Sequence, residues 1–349
     1  MAEDQLFIVS TLTDSDGIFV YRITDEDGHL ELVRQYTKIS NPFFIHLHPN
    51  GRVLYSISDP DNEQMVEALS LDRSTGELTP INKQPTQGGY PCYVAVDPSG
   101  RMVVAANYKG GNVISYPIEK DGALGPAGSL IQHAGHSVEP RRQTEPHAHC
   151  FKVSSDGRFA FAADLGMDKV MIYALDPAAG RLSPGEQRFA RVQPGGGPRH
   201  FTFSPDNRYG YVINEMGNTI TAFAYDQERG LLLERDSVPT LPADFDGHSA
   251  TADLAFTPDG RFLYGTNRGH ESLAMFTVDI ESGNLIPNGI EPSRGEMPQN
   301  ITITPDGKLL FIANTNGNKM VAFHIDQSSG KLNFSCELEM PAPVCGVLG

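Results

Sequence analysis

The stretch "RRQTEPHAH", Arg141 to His149, packs two arginines and two histidines into one short run. His147 and His149 are two residues apart, so on a strand they face the same side and could share a metal ion. Either could instead act as a general base. Further along come Arg199 and His200 in "GPRHF", Glu215 in "VINEMG" and Arg268 in "TNRGH". Imidazole, carboxylate and guanidinium together are what ester hydrolysis needs: a group to deprotonate water and cations to hold an anion or a developing oxyanion. The metal reading is the weaker one. An arginine-rich loop opposes a cation, and Glu215 is the one obvious carboxylate near it. We therefore expect no metal and no cofactor. Whether these residues meet depends on the elements that carry them.

Those elements are bounded by composition. The chain has 349 residues, 39% hydrophobic, with 35 glycines and 25 prolines scattered among short Val/Ile/Phe/Tyr runs. This is the texture of strands joined by tight turns. No apolar run reaches the length a membrane span needs. The start, "MAEDQLFIVS", is acidic where a secretory leader is basic. Cys92, Cys150, Cys336 and Cys345 form no CxxC pair and suit a reducing compartment, so a cytoplasmic protein is expected. A net charge of −16 argues against nucleic acid as a partner, because phosphate backbones need clustered cations. It leaves room for a small anionic metabolite in a local basic pocket.

An internal repeat gives the fold. "HPNGRVLYSIS", "DPSGRMVVAAN", "SSDGRFAFAAD", "SPDNRYGYVIN", "TPDGRFLYGTN" and "TPDGKLLFIAN" share one pattern, with the turn residue at Gly51, Gly100, Gly157, Asn207, Gly260 and Gly307. The spacings are 49, 57, 50, 53 and 47 residues. A second unit, a hairpin with glycine in its turn, occurs seven times: "DEDGHL", "RSTGEL", "EKDGAL", "PAAGRL", "QERGLL", "ESGNLI" and "QSSGKL". The first hairpin lacks the turn ahead of it, while the C-terminal "MPAPVCGVLG" resembles the strand before the other turns. The tail thus supplies the inner strand of a blade begun at the N-terminus. We expect an all-β, seven-bladed β-propeller over 1–349, with four antiparallel strands per blade. The absence of tryptophan excludes a WD-repeat version, and the kelch signature is missing. No long segment has the apolar period of a helix.

Aligning the repeats puts equivalent residues on rings about the axis. One ring, at the start of the innermost strands, reads Phe43, Cys92, His149, Arg199, Ala252, Gln299 and Val344. A second, eight residues beyond each turn, reads Asp59, Tyr108, Leu165, Glu215, Arg268 and Thr315. The position before it is asparagine in four blades, most simply a structural residue at a strand end. Charged residues at freely varying phases are the candidates for chemistry, which selects His149, Arg199, Glu215 and Arg268. The longest spacing brings His133, His136, Arg141, Arg142 and His147 over the same mouth, with His133 and His136 expected on the loop surface. The run "QPGGGPRH" is read as a close backbone approach to the inner strand.

The combination of Arg142, Gln143, Pro146, His147 and His149 with "GPRHFTFSPDNRYGYVINE" and "LYGTNRG" resembles the lactonase family of seven-bladed propellers over nearly the whole chain. That family includes bacterial 6-phosphogluconolactonases and fungal carboxymuconate-lactonizing enzymes. The resemblance implies an active site of one histidine, two arginines and a glutamate, which match His149, Arg199, Arg268 and Glu215. The same motifs offer Arg142, Gln143, His147, His200, Asn214 and Asn267 as substrate contacts. The expected function is hydrolysis of an anionic sugar lactone, 6-phosphogluconolactone first, with His149 or Glu215 as base. A lactonizing cycloisomerase and a non-catalytic binding propeller are the alternatives.

Overall fold

The computed structural model describes residues 5–13, 16–59 and 63–349. Among these residues twenty-eight strands, numbered in chain order, form seven four-stranded antiparallel sheets. Blades one to six take consecutive strands, β4–β7 through β24–β27. Blade seven is mixed in origin: the C-terminal strand pairs with the first strand, followed by β2 (Ile18–Ile23) and β3 (Leu30–Tyr36). There β28 (Pro343–Leu348) pairs with β1 (Leu6–Thr11), from Phe7 opposite Leu348 to Thr11 opposite Pro343. The expected closure of the ring by both chain ends is therefore present.

Inner strands pack side by side around the axis, and the apolar core lies between neighbouring blades. Phe161 of blade three, fully buried, meets Phe201 and Phe203 of blade four at ring-centroid distances of 5.4 and 5.2 Å. Removing such a ring from water contributes about 1.5–3 kcal/mol.

The two repeated sequence units lock adjacent blades. Gly230, in an outer hairpin of blade four, has φ +69°. A Cβ there would lie 2.5 Å from the ring of Phe159, the residue two after the turn glycine of blade three. Glycine is required for both conformation and space. Beside it the turn arginine of blade three, Arg158, bonds Asp156 through Nε (2.7 Å) and reaches the Gln227 carbonyl of blade four through Nη2 (2.7 Å). Arg208 and Arg261 repeat the brace toward Ile280 and Gln327. Arginines at a repeating phase therefore hold the fold together, at the end of the blades away from Glu215.

Candidate active site

Local backbone irregularity builds the mouth. In six of the seven inner strands the register skips the residue of the first ring, as at Cys92 in β8 (Pro91–Val96), His149 in β12 (Ala148–Val153), Arg199 in β16 (Pro198–Phe203) and Gln299 in β24 (Pro298–Ile303); β4 (Ile45–Leu47) begins after Phe43 and pairs without a skip. Val344 is skipped in β28, and β20 (Ala250–Phe256) skips Ala252 and Asp253. A β-bulge leaves one residue outside the ladder and re-aims its side chain. Here it turns the first-ring residue toward the axis without displacing its neighbours.

Glu215 is the hub. It follows β17 (Tyr209–Asn214), and its backbone N–H donates to the Gly197 carbonyl at 2.7 Å. Oε2 accepts from Arg199 Nε at 3.1 Å and from Arg268 Nη2 at 2.8 Å; Oε1 accepts from Arg142 Nη2 at 2.8 Å. Arg199 is 2% exposed, with Nη1 on the Ala252 carbonyl at 2.7 Å. Arg268, at the end of β21 (Phe262–Arg268), is oriented by the carbonyls of Ala250 and Thr251. Burial alone would push the Glu215 carboxyl up, but Arg268, Arg199 and Arg142 outweigh it and hold it at about 2. Burial and the neighbouring Arg268 draw Arg199 down to about 10, still a cation at neutral pH. Among the described residues these three guanidiniums share one carboxylate, so the cluster itself carries an excess of two positive charges.

His149 is 7% exposed, edge-on to Tyr108 (5.4 Å) and His200 (5.5 Å). Its Nδ1 lies 3.8 Å from Cys92 Sγ. Burial, then Arg199 and His200, push its pKa well below the usual imidazole value, so it is neutral at pH 7. His147 stacks on Tyr108 with 4.5 Å between centroids, and its Nδ1 is 3.0 Å from the Tyr108 carbonyl. The His147–x–His149 pair therefore lines an aromatic wall. Among the described residues no group of three or more His, Cys, Asp or Glu is arranged to hold a metal ion.

Arg142 of the insertion reaches the site and also donates to Tyr108 Oη at 3.0 Å. Asp168 anchors that loop. Its carboxylate accepts from Ser137 Oγ and Gln143 Nε2 on the insertion, and from the Gly195 and Gly197 amides of the glycine run, all at 2.6–2.7 Å. One buried acidic group thereby ties two mouth loops together. Replacing Asp168 by Ala should cost about 2–4 kcal/mol in denaturant unfolding, because four donors lose their acceptor together.

Several expected contacts lie elsewhere. Gln143 is buried and spent on Asp168, the Leu165 carbonyl and the Glu139 amide, so it shapes the loop and does not face the mouth. Asn214 and Asn267 are fully buried. Asn214 donates to Thr219 and Thr221, and Asn267 to Ser272 and the Thr240 carbonyl. They are strand-end braces, as the repetition of asparagine at this phase suggested. His200 bonds Asp253 (2.8 Å) and faces the axial channel beneath the mouth. His133 is a buried bridge between Asp164 (2.5 Å) and Tyr173 (2.7 Å), not a loop-surface residue. Arg141 and His136 are exposed. The residue reading passed over Tyr108 and Asp168 as functional groups. Asp168 left a signal: it takes positive φ (53°) at a phase where blades four and six have Asn218 and Asn318.

A seven-bladed ring with an imidazole, a carboxylate and three arginines at one mouth defines a class, and sequence comparison agrees with it. The chain belongs to the lactonase family of seven-bladed β-propellers, whose family model matches residues 6–348. It is 36% identical over 271 residues to the 6-phosphogluconolactonase of Bacillus subtilis (strain 168), covering 78% of this chain and 76% of that one. It is 30% identical over 309 residues to the 6-phosphogluconolactonase of Formosa agariphila, covering 84% and 85%. Among solved structures, the Pseudomonas aeruginosa periplasmic gluconolactonase superposes with a TM-score of 0.93 at 31% identity, over 99% of this chain and 98% of that one.

Proposed function

We propose that this protein hydrolyses a small anionic sugar lactone, 6-phosphogluconolactone before others, to the open-chain acid. The observation that carries the reading is a buried His149 beside a mouth where, among the described residues, three arginines share one carboxylate. His149 takes a proton from water as the water oxygen bonds to the lactone carbonyl carbon. Arg199 and Arg268 face the oxyanion that forms. Collapse breaks the ring C–O bond, and the proton on His149 passes to the departing alkoxide. Glu215 is a poor base, because three guanidiniums hold both its oxygens. Its role is to fix the arginines in one geometry. Gln143, Asn214 and Asn267 have no direct role.

The phosphate would lie toward the aromatic side. Tyr90 and Tyr108 meet edge to face at 6.4 Å, and Lys109 Nζ stands 5.7 Å from the Tyr90 ring centroid. Lys109 has no carboxylate partner among the described residues. Lys109→Ala should raise KM for 6-phosphogluconolactone about two- to fivefold, leaving kcat and the hydrolysis of unphosphorylated gluconolactone unchanged. Steady-state kinetics on both substrates test the reading. Turnover of a carboxymuconate without lactone hydrolysis would replace it with cycloisomerisation. We propose a cytoplasmic site of action, which four unpaired cysteines support. Among the described residues no helix is long and apolar enough to cross a membrane.

A further inference from the structure

Beneath His149 and Arg199 the propeller axis holds a second polar chamber, of about 310 Å³, which lactone hydrolysis does not use. Its walls come from residues one and three positions after the first ring, which share a strand face. Beside Tyr93, the polar ones include His46, Lys152, His200, Thr202, Asp253 and Asn300.

Asp253, Asn300 and one nitrogen of His200 are committed. Asp253 accepts from His200 Nδ1 (2.8 Å), Asn300 Nδ2 (2.7 Å) and the Ile301 amide (2.9 Å). Asn300 Oδ1 accepts from the Gly346 amide at 2.9 Å. Three groups are not. Bonding to Asp253 fixes the His200 tautomer, so its Nε2 is a bare acceptor. That atom is buried without a partner, in a residue 5% exposed. His46 Nδ1 is buried and unpartnered as well. Lys152 brings an ammonium to the chamber wall with no carboxylate in ion-pair reach among the described residues. Burial, with Lys152 adding to it, pulls His46 down to about 4, so the imidazole adds no charge.

Water could satisfy the ring nitrogens, but Lys152 has no anion in contact among the described residues, and the chamber's carboxylate, Asp253, already accepts from His200, Asn300 and the Ile301 amide. We infer that the axial chamber is a second binding site, for a small oxyanion that keeps one ionisable proton, of the hydrogen phosphate class. Its anionic oxygens accept from Lys152, and its O–H donates to His200 Nε2. Chloride matches the ammonium but offers nothing to a bare acceptor. Partly exposed Lys152, Thr202 and Phe256 leave the chamber open to solvent.

The test uses inorganic phosphate, crystals of the full chain grown without it and then soaked, and calorimetric titration. The expected result is tetrahedral density between Lys152 and His200. Lys152→Met, which keeps the side chain's bulk, should abolish that density, lower the calorimetric stoichiometry by one phosphate and leave lactone hydrolysis unchanged. Water alone in the chamber, density confined to the arginine mouth, or a chamber phosphate that survives Lys152→Met would overturn the inference. Density at the mouth bears only on the lactonase reading, so the two fail separately.

Discussion

His149→Asn should lower kcat for lactone hydrolysis by about 10²–10⁴-fold, the contribution of a positioned general base. Its unfolding midpoint should stay near that of the parent, since no strong hydrogen bond is lost: its Nδ1 meets Cys92 Sγ only at 3.8 Å. The pH profile carries a second signature. Only the neutral imidazole accepts a proton, so activity falls as His149 is protonated on acidification. Because burial and Arg199 push its pKa well below 6.5, the acid limb should lie well below pH 6.5, with rates level from pH 7 to 6. A limb centred at 6.5, or a variant that keeps its rate, would remove His149 from the proton step.

Glu215→Gln should be as damaging, through a different route. Among the described residues its carboxylate is the one negative charge touched by Arg142, Arg199 and Arg268. Removing one partner of a buried ion cluster leaves the others repelling and poorly solvated, at a cost of about 3–5 kcal/mol. The arginines then lose their common geometry, and kcat/KM should drop by about 10² or more. Linkage gives the sign with pH. The folded pKa of about 2 lies below the ordinary 4.5, so Glu215 stabilises the protein above pH 4.5 and loses that contribution as pH falls toward 2. The shift corresponds to about 3 kcal/mol. Denaturant unfolding at several pH values should therefore show the gap between parent and variant narrowing from pH 5 downward. A constant gap would mean that Glu215 acts by packing alone.

Much of this site could be read in the chain because the fold repeats. Blade equivalence put His149 beside Arg199 and Glu215 beside Arg268, and the freely varying phase separated them from Arg158, Arg208 and Arg261, which recur and serve as braces. The same logic marked Asn214 and Asn267 as structural, although adjacency to Glu215 and Arg268 also offered them as ligand contacts; their amide N–H groups are spent inside the blade. Gln143, His200 and His133 could not be assigned from residue type. Each has its role set by a distant carboxylate, Asp168, Asp253 or Asp164, and pairing across blades leaves no local pattern. The bulges at the first ring were equally hidden. Without them alternation would turn His149 away from the residues that follow it on the strand, and one strand face could not serve both the mouth and the chamber below.

The central claim is that three arginines gathered by one glutamate activate an anionic lactone toward water. The most direct measurement is the rate of 6-phosphogluconolactone ring opening, with the spontaneous rate subtracted, for the parent and for Arg268→Met. The expected result is saturable acceleration by the parent and a loss of about 10²-fold or more in kcat/KM for the variant. No acceleration above the spontaneous rate, or an Arg268→Met protein as fast as its parent, would contradict it.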